Sequence, residues 1–209
     1  MKERTATSGY LVKMILTALA AAIFCVVGPV SIPIGPVPIS LMTFLLYVSI
    51  YVLGVNYASV ACLLYLLLGL AGMPVFTGFQ GGFGKLVGPT GGYLIGYLPM
   101  VLIAGLFIGL VERRKEKKPA SERTSEAGVG HVHSKREIIM RRVFEGLGMI
   151  VATAVLYLLG TVWFVISTGT PVGAALMLCV IPFIPGDLIK IVIAVSVGPE
   201  LGKRIRPYM

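Results

Sequence analysis

PFIPGDLIK (residues 182–190) places an aspartate and a lysine three positions apart inside a long apolar region. Pro182 and Pro185 break any helix that arrives from the N-terminal side, and the glycine after them allows a sharp turn. Asp187 can then cap the helix that follows, with Lys190 on the same face of that helix. Because an ionisable side chain in an apolar membrane segment is costly, this pair predicts a ligand-binding site. A structural ion pair or a plain helix cap is the alternative.

The composition around this stretch indicates an integral membrane protein. Of the 209 residues, 56% are hydrophobic and 13% are charged, and the mean hydropathy is +0.92, which no soluble domain of this length requires. The net charge is +9, and ten of the 18 lysines and arginines lie between Arg113 and Arg142. Such clustering is typical of membrane topology. Nucleic-acid binding is excluded, since it needs a basic face with interleaved aromatic residues.

Six apolar segments are predicted to cross the bilayer, so the fold class is all-α integral membrane, with one membrane domain over residues 1–209. The predicted helices are 10–27, 39–53, 57–70, 93–111, 143–167 and 186–201. Between them we expect a loop at 28–38, a tight turn at 54–56, and a short helix beside the binding site at 172–181. The charged segment 112–137 is predicted to be a disordered linker, because its composition cannot form a packed core.

Residues 72–92, here called the Gly-rich segment, contain eight glycines. This segment is predicted to be non-helical and to form a lid or wall of a cavity, since irregular backbone at membrane depth must be buried or line a cavity. A phosphate-binding loop would require glycine at position 79 and serine or threonine at 86, where the chain has Phe79 and Leu86. The sequence therefore carries no nucleotide site.

The charge distribution predicts the orientation. Six crossings place both termini on one side together with nearly all lysines and arginines, so that side is cytoplasmic in a plasma-membrane protein. Asp187 and Lys190 then lie towards the outer surface. Glu145, close behind Arg141 and Arg142, is interpreted as an interfacial residue paired with them.

The expected pocket is apolar and aromatic with few polar groups, which favours a small organic ligand. Besides Asp187 and Lys190, its predicted members are Phe76, Gln80, Gly82, Tyr93 and Tyr65. For any one of the aromatic residues, an interfacial belt is the competing interpretation. No nucleophile with a base is recognisable, and His131 with His133 makes only a weak metal site, so we expect no catalysis, cofactor or metal.

Ala18 and Ala22 form a small-xxx-small pattern in the first predicted helix. Small residues at this spacing let another helix approach closely. The pattern indicates either a docking face for a partner or ordinary packing within the chain.

Three stretches together resemble the BioY family, the biotin-specific substrate-binding (S) components of energy-coupling-factor (ECF) vitamin importers. They are PIGPVPISLMTF from Pro33, YLLLGLAGMPVFTGFQGGFGKLVGPTGGYLIG from Tyr65, and PFIPGDLIK. The likeness runs from the first predicted helix to the sixth and is interrupted mainly at the charged linker. One departure is Met42, where members often have glutamine.

The resemblance implies a six-helix S-component fold with a ligand pocket near the outer surface. It implies that Asp187 and Lys190 contact biotin and that Ala18 and Ala22 contact a membrane coupling subunit. Because the chain has no nucleotide motif, two separate ATPase subunits are expected to supply the energy.

Other functions stay open at this point. The chain could be an S component for another vitamin, or a self-sufficient transporter that uses Asp187 as a proton or sodium relay. Against the second, the chain is short and shows no inverted repeat of broken helices. An intramembrane enzyme is disfavoured by the missing catalytic set.

Overall fold

The computed structural model describes residues 2–32, 37–116 and 131–208, except for the side chains at 2–8, 113–116, 131–135 and 208. The described residues form seven α-helices, one 3₁₀ turn and a two-stranded sheet. In chain order the elements are α1 (Lys2–Val27), β1 (Ser31–Ile32), β2 (Ile39–Ser40), α2 (Met42–Leu70), α3 (Phe83–Val87), α4 (Gly91–Glu116), α5 (His131–Thr168), α6 (Val172–Cys179), α7 (Ile184–Ile205) and the 3₁₀ turn Arg206–Tyr208.

The long helices form a membrane bundle. By length and composition α1, α2, α4 and α5 are each able to cross a membrane. The helices α6 and α7, which are bent by 47° at their break, are together long and apolar enough for a fifth span. The helix α2 lies at the centre, because it packs against α1, α4 and α7. In both α2 and α4, buried side chains recur every fourth residue. They are Met42, Leu46 and Ile50 in α2, and Met100, Ala104 and Ile108 in α4.

The helix α2 consists of two arms that meet at Gly54. This residue has φ 79° and ψ 165°, which is non-helical and readily adopted only by glycine. Thr43, near the start of α2, and Thr77, just beyond its end, line the same cavity. A straight helix of 29 residues would hold its two ends about 43 Å apart, so the chain must reverse at Gly54.

Contacts on either side of Gly54 show the same reversal. Before the break, Tyr51 lies against Gly198 in the second half of α7, so the first arm runs alongside α7. After it, Val55 packs on Gly105 of α4, and the Tyr65 hydroxyl returns to the end of α1. With the two arms counted separately, the described chain passes through the bundle six times.

The predicted turn at 54–56 is therefore correct in place but too long. Only Gly54 leaves the helical conformation, and residues 55 and 56 continue the second arm. The predicted start of this helical region at residue 39 is wrong, because Ile39–Ser40 pairs with Ser31–Ile32 as an antiparallel strand.

Several helices are longer than predicted. The first starts at Lys2 instead of residue 10, and the predicted segments 93–111, 143–167 and 186–201 are observed as α4, α5 and α7. The predicted linker 112–137 is wrong at both ends, where 112–116 and 131–137 are helical; its residues 117–130 lie outside the described ones. Lysine, arginine and glutamate are good helix formers, so a helix continues through them after leaving the apolar region.

The Gly-rich segment contains a helix that the sequence analysis excluded. Phe83–Val87 forms the five-residue α3, and α4 begins at Gly91, inside the segment. The run FGKLV contains only one glycine, Gly84, and the glycines on both sides of it end the helix. Trp163 of α5 fixes the segment, because its indole N–H donates to the Gly88 carbonyl at 2.9 Å.

Glu145 is buried, contrary to its interpretation as an interfacial residue. Its carboxylate is 1% exposed and accepts hydrogen bonds from the Tyr51 hydroxyl at 2.9 Å and from Arg141 Nε at 3.1 Å. Arg142, the other predicted partner, faces Glu200 of α7 instead, at 3.9 Å. The predicted pairing with Arg141 is confirmed. The interfacial position is wrong because Tyr51, which covers Glu145, is distant in sequence and arrives with the first arm of α2.

Candidate ligand-binding site

A cavity lies at the end of the bundle where α6 meets α7, as predicted for the short helix 172–181. The volume of this cavity is about 60 Å³. Its walls come from the residues just before α2, the Gly-rich segment, α4, α5 and the α6–α7 break. The polar and aromatic side chains that line it include Ser40, Thr43, Thr77, Lys85, Thr90, Tyr93, Tyr97, Tyr157, Asp187 and Lys190.

Asp187 sits in the first turn of α7 and does not cap it. The helix begins at Ile184 after Phe183, and the Asp187 backbone N–H donates to the Phe183 carbonyl at 2.9 Å. The predicted cap is thus wrong. Pro185 explains this, since a proline fits the first turn of a helix, where its missing N–H has no role. The Asp187 carboxylate is consequently free to bind other side chains.

Three donors from three elements hold that carboxylate. Oδ1 accepts from Lys190 Nζ at 2.8 Å and from the Thr43 hydroxyl at 3.4 Å, while Oδ2 accepts from the Tyr157 hydroxyl at 2.5 Å. Asp187 is only 8% exposed. Hydrogen bonds to an ionised group in such surroundings are stronger than neutral ones. The prediction that Asp187 and Lys190 share one helix face is confirmed.

Lys190 also joins α7 to the chain before α2. Its ammonium donates to the Ser40 carbonyl at 2.7 Å and to the Thr43 hydroxyl at 3.4 Å, in addition to its bond with Asp187. All three N–H donors of the lysine are therefore occupied. The pair is a pre-organised polar wall that fixes β2 and α2 against α7.

Tyr93 is the other predicted residue that lines the cavity. Its hydroxyl bonds to the Cys179 carbonyl of α6 at 3.2 Å and lies 3.4 Å from the Thr161 hydroxyl of α5. The ring therefore has a fixed position across from the α6–α7 break. An aromatic face held in this way can cover a flat ligand ring.

Four predicted residues lie away from the cavity wall. Phe76 and Tyr65 are buried in the core, where their rings pack edge to face with centroids 5.5 Å apart. Gln80 is exposed, and Gly82, with φ 86°, starts α3. The sequence does not show which side chains of the Gly-rich segment point into the cavity. Phe76, for example, points into the core and packs on Gly69. Ligand contacts of these four residues remain predictions.

The sequence analysis missed several residues of the wall. Tyr157 and Tyr97 both occur in apolar helices. A buried tyrosine hydroxyl needs a hydrogen-bond partner, so the position of Tyr157 in the sequence could have indicated a polar contact there. Lys85 was not singled out, although it and Lys190 are the two cations outside the basic clusters. Partial burial lowers the pKa of Lys85 below its usual value.

Ala18 and Ala22 are both exposed on α1, and neither lines the cavity. The inward face of that helix carries Thr17, Ala21 and Phe24, which are buried. Packing within the described chain therefore does not account for the two alanines. Their exposed face allows another helix to approach closely.

Comparison with known proteins agrees with this arrangement. The model of the BioY family matches residues 1–207. Biotin transporter BioY of Thermotoga maritima is 32% identical over 191 residues, which cover 91% of this chain and 96% of that protein. Biotin transporter BioY2 of Lactococcus lactis subsp. cremoris is 33% identical over 191 residues, covering 91% and 90%.

A solved structure shows the same fold. The crystal structure of the S-component for biotin from an ECF-type ABC transporter superposes with a TM-score of 0.72 at 24% identity, covering 97% of this chain and 94% of that one. The predicted all-α S-component fold is thereby confirmed.

Proposed function

Because this chain belongs to the BioY family, we propose that it is the biotin-binding S component of an ECF-type vitamin importer. It captures biotin without chemical change and delivers it through a complex whose separate subunits hydrolyse ATP. The observation that carries this proposal is the buried network of Asp187 with Lys190, Thr43 and Tyr157 on the cavity wall.

The chemistry of biotin supports the assignment. Its ureido ring carries two N–H donors and one carbonyl, next to an apolar thioether ring. The Asp187 Oδ2 atom has one donor, Tyr157, so it keeps capacity to accept from a ureido N–H. Tyr93 and Tyr97 supply aromatic surface for the ring. Few polar groups that converge on an aromatic pocket are typical of sites for small organic ligands.

The proposal is tested first on the protein alone. Purified in detergent without any other subunit, the chain should bind biotin at one molecule per protein in a calorimetric titration. Riboflavin and thiamine serve as controls for a different vitamin specificity. Binding of one of these in place of biotin would assign the chain to another substrate, and binding of none would refute the S-component role.

Uptake separates this function from an ion-coupled transporter. Cells that hold this chain alone should accumulate little biotin, and co-expression of a coupling subunit with two ATPase subunits should raise uptake. Asp187 is already neutralised by Lys190 at 2.8 Å, which is unfavourable for a proton relay. Accumulation without ATPase subunits that a protonophore abolishes would favour the ion-coupled alternative.

The proposed orientation places both termini in the cytoplasm, with the cavity open to the outside of the plasma membrane. A reporter fused between Ser121 and Ser134 should behave as cytoplasmic, because this region lies among the basic residues. A reporter inserted at Thr168 or Gly169 should behave as external. The reverse pattern, read by alkylation of single cysteines or by reporter activity, would overturn the orientation.

A further inference from the structure

Three hydroxyl side chains lie on one face of the first arm of α2, at Thr43, Tyr47 and Tyr51. They recur every fourth residue, so they form one line along the helix, and all three are buried. This line is called the hydroxyl row below. The described residues that line the cavity include Thr43 but neither tyrosine. The row therefore runs from the cavity towards Gly54, where α2 reverses.

The two tyrosines of the row bond to α5. The Tyr47 hydroxyl donates to the Met149 carbonyl at 2.9 Å and lies 2.6 Å from the Thr153 hydroxyl. The Tyr51 hydroxyl donates to Glu145 Oε2 at 2.9 Å. These are distances of good hydrogen bonds, and in an apolar interior a bond that is lost is not replaced by one to water. Together they fix the position of the first arm along α5.

The end of the row farthest from the cavity is also enclosed by α7. Tyr51 packs against Gly198 and Gly202, where an added Cβ atom would lie 2.2 Å from the Tyr51 ring and 2.5 Å from its carbonyl oxygen, respectively. Both glycines thus permit a close approach that a larger residue would prevent. The first arm is therefore held by α5 and α7 together, the two helices that carry Tyr157 and Asp187 at the cavity.

The bonds of Thr43 are longer than those of the two tyrosines. Its hydroxyl donates to Asp187 Oδ1 at 3.4 Å and accepts from Lys190 Nζ at 3.4 Å. Both distances lie near the limit for a hydrogen bond, so a shift of the arm by about 0.3 Å decides whether these bonds exist. The Ser40 carbonyl, which also binds Lys190, belongs to β2 and is held by the pairing of β2 with β1. Thr43 is thus the contact through which the position of the arm affects the ion pair.

We infer that Tyr47 and Tyr51 are positioning residues of the ligand site. They act through Thr43, because they hold the first arm where its hydroxyl meets Asp187 and Lys190. The inference rests on the proposed function, in which the ligand is biotin. Packing alone requires neither tyrosine hydroxyl, since a phenylalanine ring would fill the same space. Buried polar contacts of this kind can instead fix the register of one element against another.

The test removes the hydroxyls and keeps the rings. In calorimetric titrations in detergent, Tyr47→Phe and Tyr51→Phe should each weaken biotin binding about 3- to 10-fold, as expected when a hydrogen bond in the site is weakened. Ser49→Ala is the matched control. The Ser49 hydroxyl is buried in the same arm but donates to the Leu46 carbonyl of its own helix at 2.7 Å. Its removal should leave biotin affinity within about twofold of the wild type.

A double-mutant cycle separates positioning from a general loosening of the bundle. In a Thr43→Val background, Tyr47→Phe should change biotin affinity less than about twofold, because the hydroxyl that it positions is gone. The number of sites in each titration reports the folded fraction, so affinities are compared among folded molecules. Additive losses in the cycle would overturn the inference. Wild-type affinity in the two tyrosine variants would overturn it as well, whether or not their thermal midpoints fall. Absence of biotin binding by the wild type would instead refute the proposed function together with it.

Discussion

Replacing Asp187 with asparagine is expected to weaken biotin binding about 30- to 1,000-fold, which corresponds to about 2–4 kcal/mol. Asparagine keeps the shape but replaces an acceptor oxygen with an amide that presents donors towards the ligand's N–H groups. It also leaves the ammonium of Lys190 without its counter-charge. In a nearly dry site, an unpaired charge costs more than the lost bond itself.

Lys190→Met is expected to have an effect of the same size. The methionine keeps most of the stem and removes the cation, so the carboxylate of Asp187 is left with the Thr43 and Tyr157 hydroxyls. The bond to the Ser40 carbonyl is lost as well. Folded yield should nevertheless fall much less than affinity, because the helices are held together mainly by their apolar core.

Calorimetric titration of both single variants at one salt concentration measures these effects. The matched control is the pair Glu200 and Lys203, which has the same i,i+3 spacing on α7 and the same 2.8 Å separation but is exposed. Glu200→Gln and Lys203→Met should leave biotin affinity unchanged. Wild-type affinity in Asp187→Asn or Lys190→Met would remove that residue from the site.

A purely structural ion pair predicts a different pattern. In that case both single variants would be poorly stable, since each leaves one buried charge unpaired. The double variant Asp187→Leu with Lys190→Met would then restore folding and biotin binding together. Restored folding without restored binding would instead place the pair in the ligand site.

The second large effect is expected at the far face of α1. Changing both Ala18 and Ala22 to leucine should reduce association with the membrane coupling subunit roughly tenfold or more, since bulky side chains prevent close helix approach. Biotin binding by the isolated chain should stay nearly intact, because both alanines are exposed and lie outside the cavity wall. Co-purification with the coupling subunit measures the first effect and titration the second.

Ala154→Leu provides the control for this change. It adds the same bulk at another exposed alanine, on α5, and should leave assembly unchanged. Loss of biotin binding with normal assembly in the Ala18/Ala22 variant would show that the alanines support the fold of this chain and not a partner.

Features set by local backbone chemistry were predictable from the sequence. Pro182 and Pro185 located the break between α6 and α7, and Gly54 located the reversal in α2. The Asp187–Lys190 pairing followed from helical spacing. Where a local rule failed, another local rule was stronger: Pro185 fitted the first turn of α7, so that Asp187 lost the capping role.

Features set by distant contacts were not predictable. Tyr157 reaches Asp187 only because α5 packs beside the start of α7, and Tyr51 buries Glu145 only because α2 crosses α5. The direction of side chains in the Gly-rich segment likewise depends on the residues that the segment packs against, as Phe76 does on Gly69. Lys85 could have been singled out as an isolated cation, but its lack of a partner among the described residues is a property of the folded chain.

The reversal at Gly54 has a consequence for how the chain enters the bilayer during synthesis. Its two arms, residues 42–53 and 55–70, are each shorter than the roughly 20 residues that an independent spanning helix needs. No lysine or arginine lies between the arms, so the connection itself has no charge that would keep it on the cytoplasmic side. We therefore expect the arms to insert together as one hairpin, whose orientation is dictated by the basic residues of neighbouring segments and not by its own.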